Sequence, residues 1–408
     1  MVYDNLGRNT QRTDTFGDVT KTEFDRAGNA VKQIDAKNKN TLISFDARGR
    51  RKSTTDRISA GTTFAYTALG QLASLTDAES QVTAYTYDAR GSKLTEQYPD
   101  HVANSSVGTT GYGSTVSTRT YDDGRRLTSA VLGNGITETR AYRADNLLST
   151  IGYSNTSIGD LAYSWDANKN KTAETISGAM SGYGFTASGT TYDFEDRLTG
   201  YQREATSGSA LLSQSWSLTP VGDWSSITTN GTAQTRTHGP THELLTAGGQ
   251  SVTTDVKGNT TLLPAVLSSS LTPTASSLSY DSDNKMKSVD VGADSSVDVE
   301  FKYDALGRRV ARVGSSGSLV YVQADQQTIA DYGVGDAPSS PLYRYVYASY
   351  IDEPVVRKEV GTGGTVHYFH RNQQYSIYAL TTAAGAIAER YAYTAYANQR
   401  FYRQLPQS

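Results

Sequence analysis

The side chains that most often carry chemistry are thinly supplied in this 408-residue chain. It has no cysteine, which removes disulfides, thiolate metal sites and cysteine nucleophiles. His238 and His242 stand four apart, as two metal ligands on one helix face would, but Gly239 and Pro240 between them oppose a helix, so a turn is expected. His367 and His370, three apart in a strand-like run, are expected on opposite faces of a sheet. His101 opens a stretch rich in Gly, Ser and Thr. Asp166-Ala167-Asn168-Lys169-Asn170 has the oxygen spacing of a calcium loop, yet Lys171 occupies the position that needs glycine and Ser177 the one that needs a bidentate glutamate. No nucleophile elbow and no phosphate-binding loop is present, and Gly361-Thr362-Gly363-Gly364 reads as a hairpin turn. Scattered aspartates could pair as glycosidase acids. Most of them recur at a fixed period, which assigns them to turns instead. Accordingly no catalytic, cofactor-binding or metal-binding residue, no cofactor and no enzymatic activity is expected.

That period organises the chain. Aromatic residues at Tyr3, Phe24, Phe45, Tyr66 and Tyr87 are spaced by 21 residues. Asp follows at Asp4, Asp25, Asp46 and Asp88, with Thr67 as the exception, and glycine recurs at Gly7, Gly28, Gly49, Gly70 and Gly91. A second acidic position recurs at Asp14, Asp35, Asp56 and Asp77. Glycine tolerates positive φ, Asp bonds to nearby backbone, and the aromatic supplies a broad amphipathic face. Two turns per period leave two strands of ordinary length, so each repeat is expected to be a β-hairpin that is stable only when stacked on its neighbours.

Composition agrees. The chain has 28 Tyr against 9 Phe, 3 Met and 3 Trp, with 37 Gly, and lacks long Leu/Ile runs, which favours strands and tight turns over helices. A net charge of −3 gives no basic excess for nucleic acid, and no apolar run reaches the roughly 20 residues of a membrane helix. The start has no secretory signal pattern.

Regular repeats occupy residues 1–100, degenerate ones 101–341, and a strand-rich terminal region 342–408. Tyr142, Trp165-Asp166, Tyr192-Asp193, Trp216, Tyr280-Asp281 and Tyr303-Asp304 mark the degenerate copies, with Gly307 completing the last. Leu262 to Ser277 and Pro338-Ser339-Ser340-Pro341 read as surface loops. Tyr343, Tyr345 and Tyr347 alternate and are expected on one face of a strand. Because repeats flank every loop, one all-β domain over 1–408 is expected.

The Tyr-Asp-x-x-Gly-Arg unit of Tyr3 to Arg8, of Phe45 to Arg50 with Phe leading, and of Tyr303 to Arg308 resembles the YD repeat of the Rhs (rearrangement hotspot) family. The segment Tyr368 to Tyr393 resembles the terminus of an Rhs core through His370, Arg371, Ser376, Leu380, Thr381, Glu389, Arg390 and Tyr391. The resemblance implies a spiral of antiparallel hairpins forming a continuous wound sheet, barrel or shell, which in relatives such as polymorphic toxins, insecticidal toxin complexes and teneurins encloses a variable polypeptide or acts as a surface scaffold. Toxin-bearing relatives end the core with Tyr-Asp-Pro-aromatic-Gly before an Asp-dependent self-cleavage region. Here Tyr393-Thr394-Ala395-Tyr396-Ala397 lacks the Asp, the Pro and the Gly, so self-cleavage is disfavoured.

The reading is a non-enzymatic scaffold, shell or encapsulating module of a secreted or cell-surface protein, or a fragment of one. Its partners are expected to be a protein, further copies of itself through an exposed strand edge, or carbohydrate, with no nucleic acid and no membrane span. A self-assembling extracellular fibre or adhesion protein is the alternative, motivated by a first strand without a cap.

Overall fold

The computed structural model describes the chain except for residues 14–16, 18, 57–58, 60, 79, 98–114, 179–180, 182–183, 185–188, 205–209, 269–272, 305, 316, 325, 338–339, 349–352, 361–363, 396–398 and 403–408. Asp14 and His101, and most of the Gly/Ser/Thr-rich stretch and the glycine cluster at 361–364, lie outside the described residues. The described chain is all-β: in three sheets strand follows strand, each hydrogen-bonded to its neighbour in sequence, with breaks between Lys171–Ile176 and Thr191–Tyr192 and between Gln250–Ser251 and Thr253–Thr254 rather than one continuous sheet. None of its helices is long and apolar enough to cross a membrane. It divides into two compact units, one made of Met1–Thr118, Tyr280–Ser288 and Val299–Val366, the other of Arg119–Ser279, Val289–Asp298 and His367–Ser408.

In the first unit the 21-residue period is the period of the strands. Val19–Phe24, Asn40–Phe45, Gly61–Tyr66 and Val82–Tyr87 enter the aromatic-led turns, and Ala30–Ile34, Arg51–Thr55, Leu72–Thr76 and Lys93–Gln97 leave them. The ladder slips at Glu23/Phe24, Ser44/Phe45 and Ala65/Tyr66, so each aromatic sits at a bulge that redirects its side chain, as Tyr303 does after Lys302. Among the described residues Phe64 and Leu75 pack with Ala324, flanked by Tyr66, Leu72 and Ile329, and Val346, Val355 and Val356 are also fully buried. Polar links add to the joining. Arg344, 2 % exposed, places Nη1 3.2 Å from Asp77 Oδ2, and Lys93 Nζ donates to the Ala348 carbonyl at 2.8 Å. In Tyr343–Tyr347 the tyrosines share one half-buried face, while Arg344 and Val346 are buried on the other.

The second unit holds the larger core. Ile136, Leu148, Ile151, Ile158, Leu161 and Ile176 pack with Tyr378, Ala379 and Ala392. Full burial of an Ile or Leu side chain contributes roughly 1.5–3 kcal/mol, so this patch dominates the unit's hydrophobic stabilisation. The strands Thr137–Tyr142, Leu148–Tyr153, Leu161–Trp165 and Lys171–Ile176 supply one side, and Ile377–Thr382 and Ile387–Tyr393 the other.

Two local expectations change. Trp216 does not open a repeat: it lies inside the strand Ala210–Leu218, 5 % exposed and paired with Ile227, and the turn begins two residues later at Leu218-Thr219. Aromatic character therefore marks either a turn or a core position. The stretch Leu262 to Ser277 is not wholly loop, since it contains the end of the strand Thr260–Leu263, a 3₁₀ turn at Ala265–Leu267 and the start of Ser276–Tyr280.

Candidate functional site

The repeat motif builds a self-contained turn. At Asp46 the backbone N–H donates to the Arg50 carbonyl at 2.8 Å and the Gly49 N–H returns to the Asp46 carbonyl at 2.9 Å. Asp46 Oδ1 accepts the backbone N–H groups of Arg48 and Arg50, and Oδ2 accepts Arg50 Nε at 2.7 Å. The Arg50 side chain, followed by its backbone N–H, holds the Asp46 carboxyl below the usual carboxylate range. Asp4 with Arg8 and Asp304 with Arg308 repeat this arrangement, Asp25 substitutes Asn29 for the arginine, and Asp88 Oδ1 accepts the N–H of Arg90 and Ser92. At the exception, Thr67 Oγ1 takes the place of the carboxylate and accepts the Gln71 N–H at 3.2 Å.

Gly7, Gly28, Gly49, Gly70, Gly91 and Gly307 all have positive φ, between 74° and 92°. At Gly91 and Gly307 a Cβ would also come within 3.0 Å of Gln71 and 2.9 Å of Lys285 respectively. The side chain that closes one turn thus reaches across to the glycine of the next. Degenerate repeats place Arg125, Asn146, Lys169, Asp196, His242, Asn284 and Tyr375 at positive φ instead, each the next-to-last residue of a closed turn.

Adjacent turns are fastened in two ways. The closing cation covers the next aromatic: Arg8 lies 4.6 Å from the Phe24 ring centre, Arg50 4.3 Å from Tyr66, and Arg126 4.7 Å from Tyr142. That aromatic in turn clamps the exit of the preceding turn. Tyr66 donates to the Arg51 carbonyl, Tyr87 to Leu72, Tyr142 to Leu127, Trp165 through Nε1 to Leu148, Tyr192 to Lys171 and Tyr303 to Met286. Each acceptor is the first residue of the strand leaving that turn. Tyr3 differs, being 57 % exposed with its hydroxyl on Met1 Sδ. The histidine pair follows the turn pattern: Gly239 and Glu243 close a turn, and His242 Nδ1 lies 3.0 Å from Asp223 Oδ2 in the preceding one. The calcium-like segment is likewise a turn, with Asp166 accepting Asn170 and Asn170 reaching Asp196 at 2.7 Å.

The residues that resemble an Rhs-core terminus form a buried polar seam in the second unit. Asn134 Nδ2 donates to Thr381 Oγ1 and to the Thr382 carbonyl, Asn155 to the Gly385 carbonyl at 2.7 Å, and Arg390 Nη2 to the Ser157 carbonyl at 2.7 Å. Tyr378 donates to the Gly159 carbonyl, and the Gln373 N–H donates to the Tyr163 hydroxyl at 2.9 Å. These partners are about two hundred residues apart in sequence, so no local motif announces them.

At the centre lie His370, wholly buried, and Glu138, 4 % exposed. His370 Nε2 is 2.8 Å from Thr381 Oγ1, and its ring meets Tyr153 edge to face at 5.1 Å. Arg140 Nε holds Glu138 Oε1 at 2.6 Å, and Tyr153 donates to Oε2 at 3.2 Å. Burial pushes the Glu138 carboxyl up, but Arg140 and Arg371 together bring it below its ordinary value. Burial drives His370 down to about 4, against the opposing pull of Glu138. Beside the seam, a cleft of about 520 Å³ is lined by Trp165, Lys171, Tyr192, Tyr201, Asn372 and Tyr393. The arrangement ties the terminal strands to earlier strands of the same unit, with Thr381 Oγ1 and His370 Nε2 enclosed in its interior.

The RHS repeat family model matches residues 66–103. No curated protein matches. Similar solved structures include the crystal structures of TcdB2-TccC3-Cdc42 and of TcdB2-TccC3 without its hypervariable C-terminal region, each 15 % identical with a TM-score of 0.42, covering 98 % of this chain and 28 % of that one. A Tc holotoxin pore from Photorhabdus luminescens is 14 % identical with a TM-score of 0.41, covering 98 % of this chain and 27 % of that one. The chain thus spans little more than a quarter of the length of these neighbours.

Proposed function

We propose that this chain, which matches the RHS repeat over residues 66–103, works without catalysis, as a rigid encapsulating wall segment of a larger secreted or cell-surface protein whose partner is another polypeptide. The observation that supports this reading is the seam in the second unit. There, the terminal strands are tied to strands some two hundred residues earlier through Asn134, Asn155, Tyr378 and Arg390. Aspartates of the kind a glycosidase would aim at a substrate, such as Asp4, Asp46, Asp193 and Asp304, are engaged in closing turns. A wall needs such joints because a long sheet must pair or cover its edges.

Two measurements test the proposal. Electron cryomicroscopy of the purified chain is expected to show a water-filled lumen; a solid two-layer sandwich would defeat the enclosing role. Intact mass after prolonged incubation is expected to stay constant, and a discrete cleavage product would overturn the absence of catalysis. Single particles over a wide concentration range are expected, whereas concentration-dependent filaments would favour a fibre.

A further inference from the structure

A second cleft, in the first unit, carries an unmet hydrogen-bonding demand. It measures about 490 Å³ and is lined by Arg309, Tyr321, Gln323, Asp331, Tyr345 and Tyr347, a size ordinary for small-ligand pockets. Asp331 lies on the strand Gln327–Gly333, directly across the ladder from Tyr321. Its residue is 8 % exposed. Oδ2 accepts the Tyr345 hydroxyl at 2.7 Å. Oδ1 is buried and has no partner among the described residues. A buried carboxylate oxygen left unpaired costs the desolvation of a charged group, so the site favours any donor that can reach it. Burial raises the Asp331 carboxyl, with Tyr345 and then Arg357 acting against it.

The surroundings select among donors. Arg309 stands at the cleft with its guanidinium 5.4 Å from the Phe301 ring centre and 5.5 Å from that of Tyr321, and Arg357 lies 5.0 Å from that of Tyr343. An incoming ammonium would meet the guanidiniums of Arg308 and Arg309, which both line the cleft, and an incoming anion would meet the carboxylate. A neutral ligand rich in hydroxyls meets neither penalty, because each hydroxyl both donates to Asp331 and accepts from arginine. Tyrosine faces supply the flat apolar surface on which the C–H side of a sugar ring rests. Gln323 is already turned to Thr328 Oγ1 at 2.8 Å and to the Arg309 carbonyl, which fixes the wall between them.

We propose that this cleft binds a neutral sugar, with Asp331 Oδ1 accepting a ring hydroxyl and Tyr321 stacking against the ring. The test is calorimetric titration of the full chain with maltotriose, cellotriose, N,N′,N″-triacetylchitotriose and, separately, spermidine. At least one of the sugars is expected to bind saturably, with affinity weakened at least about tenfold in D331A and also in Y321A, as loss of a charged hydrogen bond or a stacking face would produce. Y321A removes a partly exposed ring and so keeps the test open if D331A does not fold. No saturable binding of any of the three sugars would overturn the proposal. So would undiminished sugar binding by folded D331A, or binding of spermidine alone.

Discussion

The Arg50 guanidinium lies 4.3 Å from the centre of the Tyr66 ring. One side chain thereby serves two repeats, since the same group closes its own turn on Asp46 at 2.7 Å. Turns of this kind recur every 21 residues, which places the arginine ending one turn 16 residues before the aromatic that opens the next, as in Arg50 and Tyr66. A single repeat has no partner for either its cation or its ring, which is why the unit makes physical sense only in series.

Removing that bridge is expected to loosen two turns together. Arg50→Ala loses the stacking on Tyr66, about 0.5–1 kcal/mol at a partly exposed site, and leaves Asp46 without its side-chain donor. Urea unfolding should show a lower midpoint with an unchanged slope. A midpoint equal to that of the wild type would mean that the stacking carries no weight.

The clamp made by the aromatic hydroxyl separates cleanly from the ring. Tyr142→Phe keeps the ring under Arg126 and deletes the hydroxyl's 2.8 Å bond to the Leu127 carbonyl along with its interaction with Arg140. It is expected to cost about 1 kcal/mol. Tyr3→Phe, whose hydroxyl meets only Met1 Sδ among the described contacts, is expected to be neutral. Equal effects in the two variants would show that the carbonyl clamp is not what the hydroxyl is for.

Backbone strain at the degenerate turns predicts a stabilising change. Arg125 has φ 64° where the regular repeats have glycine. A left-handed conformation costs a non-glycine residue roughly 1–2 kcal/mol, partly offset by the freedom glycine adds to the unfolded chain. Arg125→Gly is therefore expected to raise the melting temperature, while Gly70→Ala, at φ 91°, lowers it. Opposite signs in differential scanning fluorimetry are the check.

The regular turns are legible in sequence because Asp, Gly and the aromatic each meet a separate local demand of backbone geometry. Legibility fades where another residue satisfies the same demand. The turn from Thr219 to Asp223 uses a hydroxyl for the carboxylate, that from Asp255 to Asn259 has no aromatic before it, and that from Asn372 to Ser376 places Tyr375 in the glycine position. Of the seam around His370 and Glu138, the sequence shows only the terminal side, through the resemblance that includes His370. The seam's partners are set by how the strands pack in space, and neither residue carries a local sign of the other. Asp331 belongs to no repeat position, so periodicity gives it no prominence.

The buried imidazole predicts a specific acid response. His370 titrates near 4 in the folded chain, against about 6.5 when unfolded. The unfolded state therefore takes up the proton first. Stability is complete above pH 6.5, is lost progressively as the pH falls toward 4, and changes no further below that on account of this group. The full loss is about 3 kcal/mol. His370→Gln is expected to flatten the stability profile between pH 7 and 4 relative to the wild type, with the carboxylates common to both chains cancelling in the difference. Parallel profiles in urea titrations would show that His370 takes up its proton without cost.

The pair beside it predicts a test of how the seam is held. Glu138 and Arg140 are both mostly buried, and their bond of 2.6 Å is the first support of the Glu138 charge. Glu138→Ala leaves the Arg140 guanidinium buried without its carboxylate and Tyr153 with only the Arg371 carbonyl at 3.5 Å to accept its hydroxyl, an arrangement that typically costs about 3–5 kcal/mol. Hydrogen exchange should then accelerate across Ile377–Thr382 and Ile387–Tyr393, the strands tied to this side of the unit. Replacing both partners, as Glu138→Leu with Arg140→Leu, removes the stranded charge and is expected to recover most of the loss, because paired burial of charge is worth little more than well-packed apolar groups. If the double variant is as unstable as Glu138→Ala, the ion pair itself, and not the penalty of an orphaned charge, is what holds the terminal strands in place.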